Sequence, residues 1–282
     1  MKESMLFVSL LLMALLLPMN SHAQNNDFGM WFSVGAVKKI NKQFNFSFET
    51  EYRLRDNLRK TDRWSFGVEG GYKITNWLKA SAGYTLLYDN NEKNTYYDDP
   101  EEDVDEDTGE PYGYYGKVKK AAKYWGARHR FNISLTGEWK YNRFTFSIRE
   151  RWQYTYRPEK SIIRDYFIYD TNGNLTSIEK ETDKDGNFKN KIYKGKGKNV
   201  LRSRFEMEYD FPQSKINPYL SVEVYNSWSV NKIRFTTFGA NWKITKSHIV
   251  DLCYRFQYVK GDDEIDDDPN MHVIGLGYKY KF

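Results

Sequence analysis

The stretch FNFSFETEYRLR, residues 44–55, puts Phe44, Phe46, Phe48, Thr50, Tyr52 and Leu54 at every second position, with Asn45, Ser47, Glu49, Glu51, Arg53 and Arg55 between them. A period of two belongs to an extended strand with one apolar and one charged face. The reading then turns on which face meets water. A soluble β-protein hides its apolar face inside, whereas an outer-membrane barrel shows it to lipid.

The alternation returns along the chain. It carries Trp64, Phe66, Val68, Tyr72 and Ile74, then Leu78, Ala80, Ala82, Tyr84, Leu86 and Tyr88. It continues through Phe131, Ile133, Leu135 and Trp139, then Phe144, Phe146, Ile148 and Trp152. Leu201, Phe205, Met207 and Tyr209, then Leu220, Val222 and Val224, and finally Leu252, Tyr254, Phe256 and Tyr258 extend the series. With residues 28–38, 232–244 and the closing segment, about eleven strands result, and no helical period appears after residue 23. Short turns near 40–42, 74–76, 140–142, 213–215 and 245–247 alternate with links at 89–123, 157–199 and 261–270. Short periplasmic turns opposite longer outer loops are the plan of a transmembrane barrel. Twelve residues at about 3.3 Å each make roughly 40 Å, and a tilt of about 40° leaves roughly 30 Å of height, the thickness of a bilayer core. Ordinary strands average only about 5–6 residues.

The expected fold is therefore an all-β, antiparallel, transmembrane up-and-down β-barrel of about 10–12 strands. The strand number is left as a range because the turn order sends residues 28–38 in the same direction as the last strand, whereas bacterial barrels normally have an even number. A second irregularity is Glu150, which falls on the apolar face in mid-strand; a bulge there would turn it inward.

The opposite face carries Glu49, Glu51, Arg53, Arg55, Arg128, Arg130, Arg149, Arg151, Arg202, Arg204, Glu206, Glu208, Asp251 and Arg255. Arginine and glutamate of both signs neutralise one another inside a narrow lumen, and arginine suits partly buried pairs better than lysine does. These residues are expected to face the lumen, as a structural network or in contact with a solute. The end of the chain, Tyr278, Tyr280 and Phe282, resembles the aromatic signal by which outer-membrane barrels are handed to their insertion machinery.

Composition bounds the rest. Lys2, the apolar run 5–17 and Ser21-His22-Ala23 have the layout of a signal peptide cleaved after Ala23, which leaves residues 24–282 as one barrel domain exported to the outer membrane. The mean hydropathy of −0.79 is uninformative for a barrel, whose two faces cancel. An aromatic content of 17% is heavy for a soluble domain, and a net charge of +5 gives no argument for nucleic acid. Cys253 is the single cysteine, expected to be a small lumen-facing filler.

Chemistry has little foothold. His129 and His272 share the lipid-facing parity and His248 sits at a turn, none with a serine and an acid at strand spacing. ETDKDGNFKNKI, residues 181–192, imitates a calcium loop but ends in Ile192 where a bidentate glutamate is needed. DVDEDTGE, residues 103–110, displaces the glycine. Both read as turn-rich loops, and YDTNGNLT, residues 169–176, as a hairpin tip in which Asn172-Gly173 supplies the positive φ angles. No catalytic residue, metal or cofactor is expected.

FGMWFSVGAVKKINKQFNFSFETEYRLRDN, GYKITNWLKASAGY and RFNISLTGEWKYNRFTFSIRERWQYTY, with the closing aromatic strand, together resemble the domain-of-unknown-function family 2490. The resemblance implies a Gram-negative outer-membrane barrel and brings no catalytic residues. The expected function is a non-enzymatic, porin-like pore or a surface scaffold with a charged lumen. Its partners would be the lipid bilayer, the insertion machinery and a small polar solute. A lipid- or lipopolysaccharide-modifying barrel enzyme and a soluble periplasmic ligand carrier are the alternatives.

Overall fold

The computed structural model describes residues 27–97, 109, 113–228, 230–259 and 270–282. The segment expected to be a signal peptide, most of the acidic stretch 98–110 and residues 261–269 lie outside the described residues. Among the described residues there are fifteen strands: β1 (Asp27–Lys39), β2 (Phe44–Arg55), β3 (Lys60–Lys73), β4 (Leu78–Tyr96), β5 (Val118–Tyr141), β6 (Phe144–Arg157), β7 (Lys160–Ile163), β8 (Asp165–Tyr169), β9 (Leu175–Lys180), β10 (Asn190–Tyr193), β11 (Lys196–Tyr209), β12 (Ile216–Asn226), β13 (Val230–Lys243), β14 (His248–Val259) and β15 (Met271–Lys281). No described residue is helical. The chain divides into two compact units.

The first unit contains the described residues up to Leu87, His129–Thr155 and Gly197–Phe282. It is a closed barrel of eleven strands in the order β4-β3-β2-β1-β15-β14-β13-β12-β11-β6-β5, with β5 returning to β4. Closure removes the unpaired sheet edges that an open arrangement would leave. Hairpin chemistry sets the turns. The Asn41 side chain accepts from the amides of Gln43 and Phe44, the Thr75 hydroxyl from Trp77 and Leu78, and the Thr245 hydroxyl from Ser247 and His248. Asn142, at φ 53°, makes the tight β5–β6 turn, a conformation asparagine tolerates better than most residues.

The strand that ran the wrong way is explained by the seam. β1 pairs with β15 in parallel, from Asp27 opposite Met271 to Val37 opposite Lys281. An odd strand count forces one parallel pair, because up-and-down alternation then brings the first and last strands together in the same direction. The ladder is thus antiparallel except at this one pair, where the direction expected for residues 28–38 matches that of the last strand. The reading of Glu150 is corrected. No bulge turns it inward; Arg149 and Arg151 flank it on the inner parity, it stays exposed, and it accepts a hydrogen bond from Ser203 Oγ at 2.7 Å. Ser203 lies between the exposed Leu201 and Phe205 on β11, so the two polar groups satisfy one another on the apolar face.

The second unit comprises Tyr88–Arg128 and Tyr156–Lys196. It holds the far parts of β4 and β5, the β8–β9 hairpin joined to β5 at Lys120 and Ala121, and the β7–β10 pair. At the tip of the β8–β9 hairpin Gly173 has φ 81° whereas Asn172 has no positive φ, so only the glycine supplies the left-handed turn residue. In the span 181–192, the Asp183 carboxylate accepts from the amides of Asp185 and Asn187 and closes a local turn.

Candidate functional site: the charged lumen

The opening alternation resolves inside out. Phe44, Phe46 and Phe48 are 49%, 49% and 43% exposed, whereas Arg53 on the other face is 9% exposed. Phe66, Ile133, Leu135, Trp152 and Leu252 are likewise exposed, while Arg63, Gln153, Glu223 and Gln257 are buried. Scattered apolar residues on a surface are ordinary, but an apolar band continuous around a barrel is not.

The inner face surrounds a cavity of about 570 Å³ lined mainly by polar groups. Of the residues expected to face the lumen, Glu49, Glu51, Arg53, Arg130, Arg149, Arg151, Arg202, Arg204, Glu206, Asp251 and Arg255 line it. Three do not. Arg55 lies 3.6 Å from Asp62 at the β2–β3 end of the barrel. Glu208, near the opposite end, accepts from the side-chain amides of Asn217 and Asn241. Arg128 belongs to the second unit, where it makes a bidentate pair with Asp89 at 2.6 and 2.9 Å; β5 is 24 residues long and its alternation is shared between the two units.

The residue at the centre of the network is one that the sequence reading did not name. Glu223 on β12 accepts from Arg149 at 2.6 Å, from Arg202 at 2.9 and 3.0 Å and from the Tyr225 hydroxyl at 2.9 Å, with Arg234 at 3.8 Å. The alternation Leu220, Val222, Val224 already placed Glu223 inward. Arg234 was harder to find, because β13 carries a register shift between Thr236 and Phe238 that breaks the period.

A second cluster surrounds Trp31 of β1. The Arg53, Arg234 and Arg255 guanidiniums lie 3.8, 4.7 and 5.6 Å from its ring centre. Cations over an indole face are stabilised by its quadrupole. Beside Trp31, Met271 and Val273 complete a small apolar cluster. Gln153, Tyr225, Gln257 and Val273 are all buried toward the end of the barrel at which β1 begins and β2 ends. That end is filled with side chains.

From mid-strand toward the other end, where the short turns lie, the lining turns to small side chains. Ser33, Gly35, Ser47, Gly67, Gly277 and the exposed Lys279 line the cavity there. Charge is also divided across the lumen. Arg130, Arg149, Arg151, Arg202 and Arg204 share the adjacent strands β5, β6 and β11, while Glu49, Glu51 and Glu69 face them from β2 and β3. Arg151 reaches Glu69 at 2.8 Å and Ser134 at 2.7 Å.

Cys253 is buried, and a Cβ placed at Gly275 would lie 2.6 Å from its sulfur, so glycine leaves the thiol its space. The three described histidines each hydrogen-bond a tyrosine hydroxyl through Nδ1: His129 to Tyr84, His248 to Tyr278 and His272 to Tyr254, at 2.7–2.8 Å. None lines the cavity. Tyr278 thus holds His248, Tyr280 lies 5.0 Å from the same imidazole, and Phe282 packs edge-on to Tyr280. In the second unit, hydrogen bonds from Arg164 and then Lys120 hold the Glu181 carboxyl below its usual range against the opposing effect of burial.

The model of a protein family described as "Protein of unknown function (DUF2490)" matches residues 28–268, and the chain belongs to that family. No curated protein matches it. Among solved structures, the β domain of the Bordetella autotransporter BrkA is similar, at 10% identity, 85% of this chain, 82% of that one and a TM-score of 0.45. A Pseudomonas aeruginosa FadL homologue is similar at 11% identity, 83% and 61% coverage and a TM-score of 0.35. A mutant of the Pseudomonas aeruginosa ferric enterobactin receptor PfeA follows at 10% identity, 77% and 35% coverage and a TM-score of 0.29.

Proposed function

We propose that this chain is a non-enzymatic outer-membrane barrel whose lumen is a blind, charged chamber, obstructed at one end by its own side chains. The observation that carries this reading is the inversion of faces: phenylalanines out, guanidiniums and carboxylates in. Strands of 11–14 residues suit the thickness of a bilayer core, and the closed hydrogen-bonded ladder leaves no backbone edge for lipid to meet. Eleven strands fall between the eight that side chains just fill and the 16–18 that leave an open aqueous channel. The buried layer of Trp31, Arg53 and Glu223, with Arg234 packed against it, supports obstruction rather than steady conduction.

A non-enzymatic role is favoured by the placement of the histidines, each engaged by a tyrosine and away from the lumen. Membrane fractionation with heat-modifiable gel migration tests the location: the protein stays with the outer membrane and migrates faster before boiling. Recovery in detergent-free buffer contradicts it and favours a soluble carrier. Planar-bilayer recording of the purified chain tests the blind chamber: no steady current is expected, and stable single-channel steps refute it.

A further inference from the structure

The cavity is not electrically balanced. Eight arginines and Lys279 line it against five glutamates and Asp251, an excess of three positive charges in an enclosed volume. The excess is concentrated on the β5–β6–β11 wall. Arg149 is electrostatically coupled to Arg151, Arg202 and Arg204, and Glu223, its acidic partner, is shared with Arg202 and Arg234. Arg204 pairs with Glu206, at 3.2 Å on its own strand, and shares the field of Glu223 with the other arginines. The buried Nε atoms of Arg149 and Arg204 have no hydrogen-bond acceptor among the described residues. Buried donors in folded proteins are nearly always satisfied, by protein, by water or by a ligand.

The mouth has the same sign. Lys281 lies within electrostatic reach of Lys39, Lys243 and Lys279, with Glu208 the acid among them. Its partner in the seam is Val37, at the short-turn end. A solute entering there meets lysines first and the arginine wall beyond them. Clefts of one sign between low-dielectric walls concentrate counter-ions.

We propose that this chamber binds a small water-soluble polyanion of the phosphate or polycarboxylate type, entering from the short-turn end. The volume matches that of small-molecule sites, about 300–1,000 Å³. The lining excludes an apolar ligand, and guanidinium forks are matched to carboxylate and phosphate oxygens. The proposal rests on the blind-chamber reading above, yet it is measured separately from it. A current in the bilayer removes that reading, whereas the binding isotherm decides this one.

The test is isothermal titration of the full chain in detergent at low ionic strength, with inorganic pyrophosphate and with citrate, and with spermidine and sucrose for comparison. Saturable binding of pyrophosphate or citrate is expected, with neither spermidine nor sucrose binding. Arg204→Gln weakens it about tenfold, the loss of one charge-assisted contact. Lys279→Gln weakens it less. Glu49→Gln, which removes a carboxylate lying among Glu51, Glu69 and Lys279, tightens it. That opposite sign separates binding from damage to the fold. Absence of anion binding, equal binding of spermidine, or affinities indifferent to all three substitutions overturns the proposal.

Discussion

Replacing Glu223 by glutamine removes the one carboxylate against which Arg149, Arg202 and Arg234 are assembled. Glu223 is 5% exposed, and its oxygens accept three guanidinium hydrogen bonds of 2.6–3.0 Å and one from Tyr225. Removing one partner of a buried ion pair costs about 3–5 kcal/mol, because the remaining charge keeps its desolvation without its counter-ion. Glutamine keeps one carbonyl acceptor, which sets the expectation at the lower end, about 3 kcal/mol. Glu206 gives the internal comparison. Its pair with Arg204 has side chains 25% and 32% exposed, so Glu206→Gln is expected to cost at most about 1 kcal/mol. The assay is urea unfolding from lipid vesicles, followed by the shift between folded and unfolded gel bands. A Glu223→Gln protein within about 0.5 kcal/mol of the Glu206→Gln protein refutes the reasoning, because it means that water, not the protein, carries the charges of this layer.

Three further outcomes follow from the same structure. Phe66→Arg, on the exposed face in mid-strand, costs about 2–4 kcal/mol in lipid vesicles by the same assay, whereas an apolar face in water would tolerate the change. Gly239→Ala collides with the Tyr219 ring and breaks its 2.8 Å hydrogen bond to Asp251; a cost of about 1–3 kcal/mol is expected, and the same change made in a Tyr219→Ala background adds little further cost. In the second unit, the lowered pKa of Glu181 means that its ion pairs contribute stability above the ordinary carboxylate range and lose it as pH falls through the depressed value. Limited proteolysis between residues 156 and 196 should therefore quicken in acid, and Glu181→Gln should show the quickening already at neutral pH.

Period-two alternation made most of the barrel legible, because lipid and lumen impose opposite demands on successive residues. It failed where the period itself was interrupted or was silent. The register shift after Thr236 hid Arg234, although Glu223 could have been found from the parity of its neighbours. Arg128 was misplaced because alternation carries no mark of where the barrel unit ends along β5. The parallel seam lay beyond pattern reading, since side-chain period says nothing about which strand a chain terminus joins; the direction of residues 28–38 was the only trace of it. Glu150 shows the converse error, in which a rule against charge on an apolar face outweighed the hydroxyl that Ser203 provides.

The central claim is tested most directly by spin labels placed one at a time at residues 63–68, in a Cys253→Ser background reconstituted into vesicles. Oxygen, which partitions into hydrocarbon, should relax the labels at 64, 66 and 68 more than a water-soluble nickel chelate does, with the order reversed at 65 and 67, which line the chamber, and little relaxation by either reagent at the buried 63. A chelate preference at 64, 66 and 68, or protection of all three from both reagents, contradicts the account.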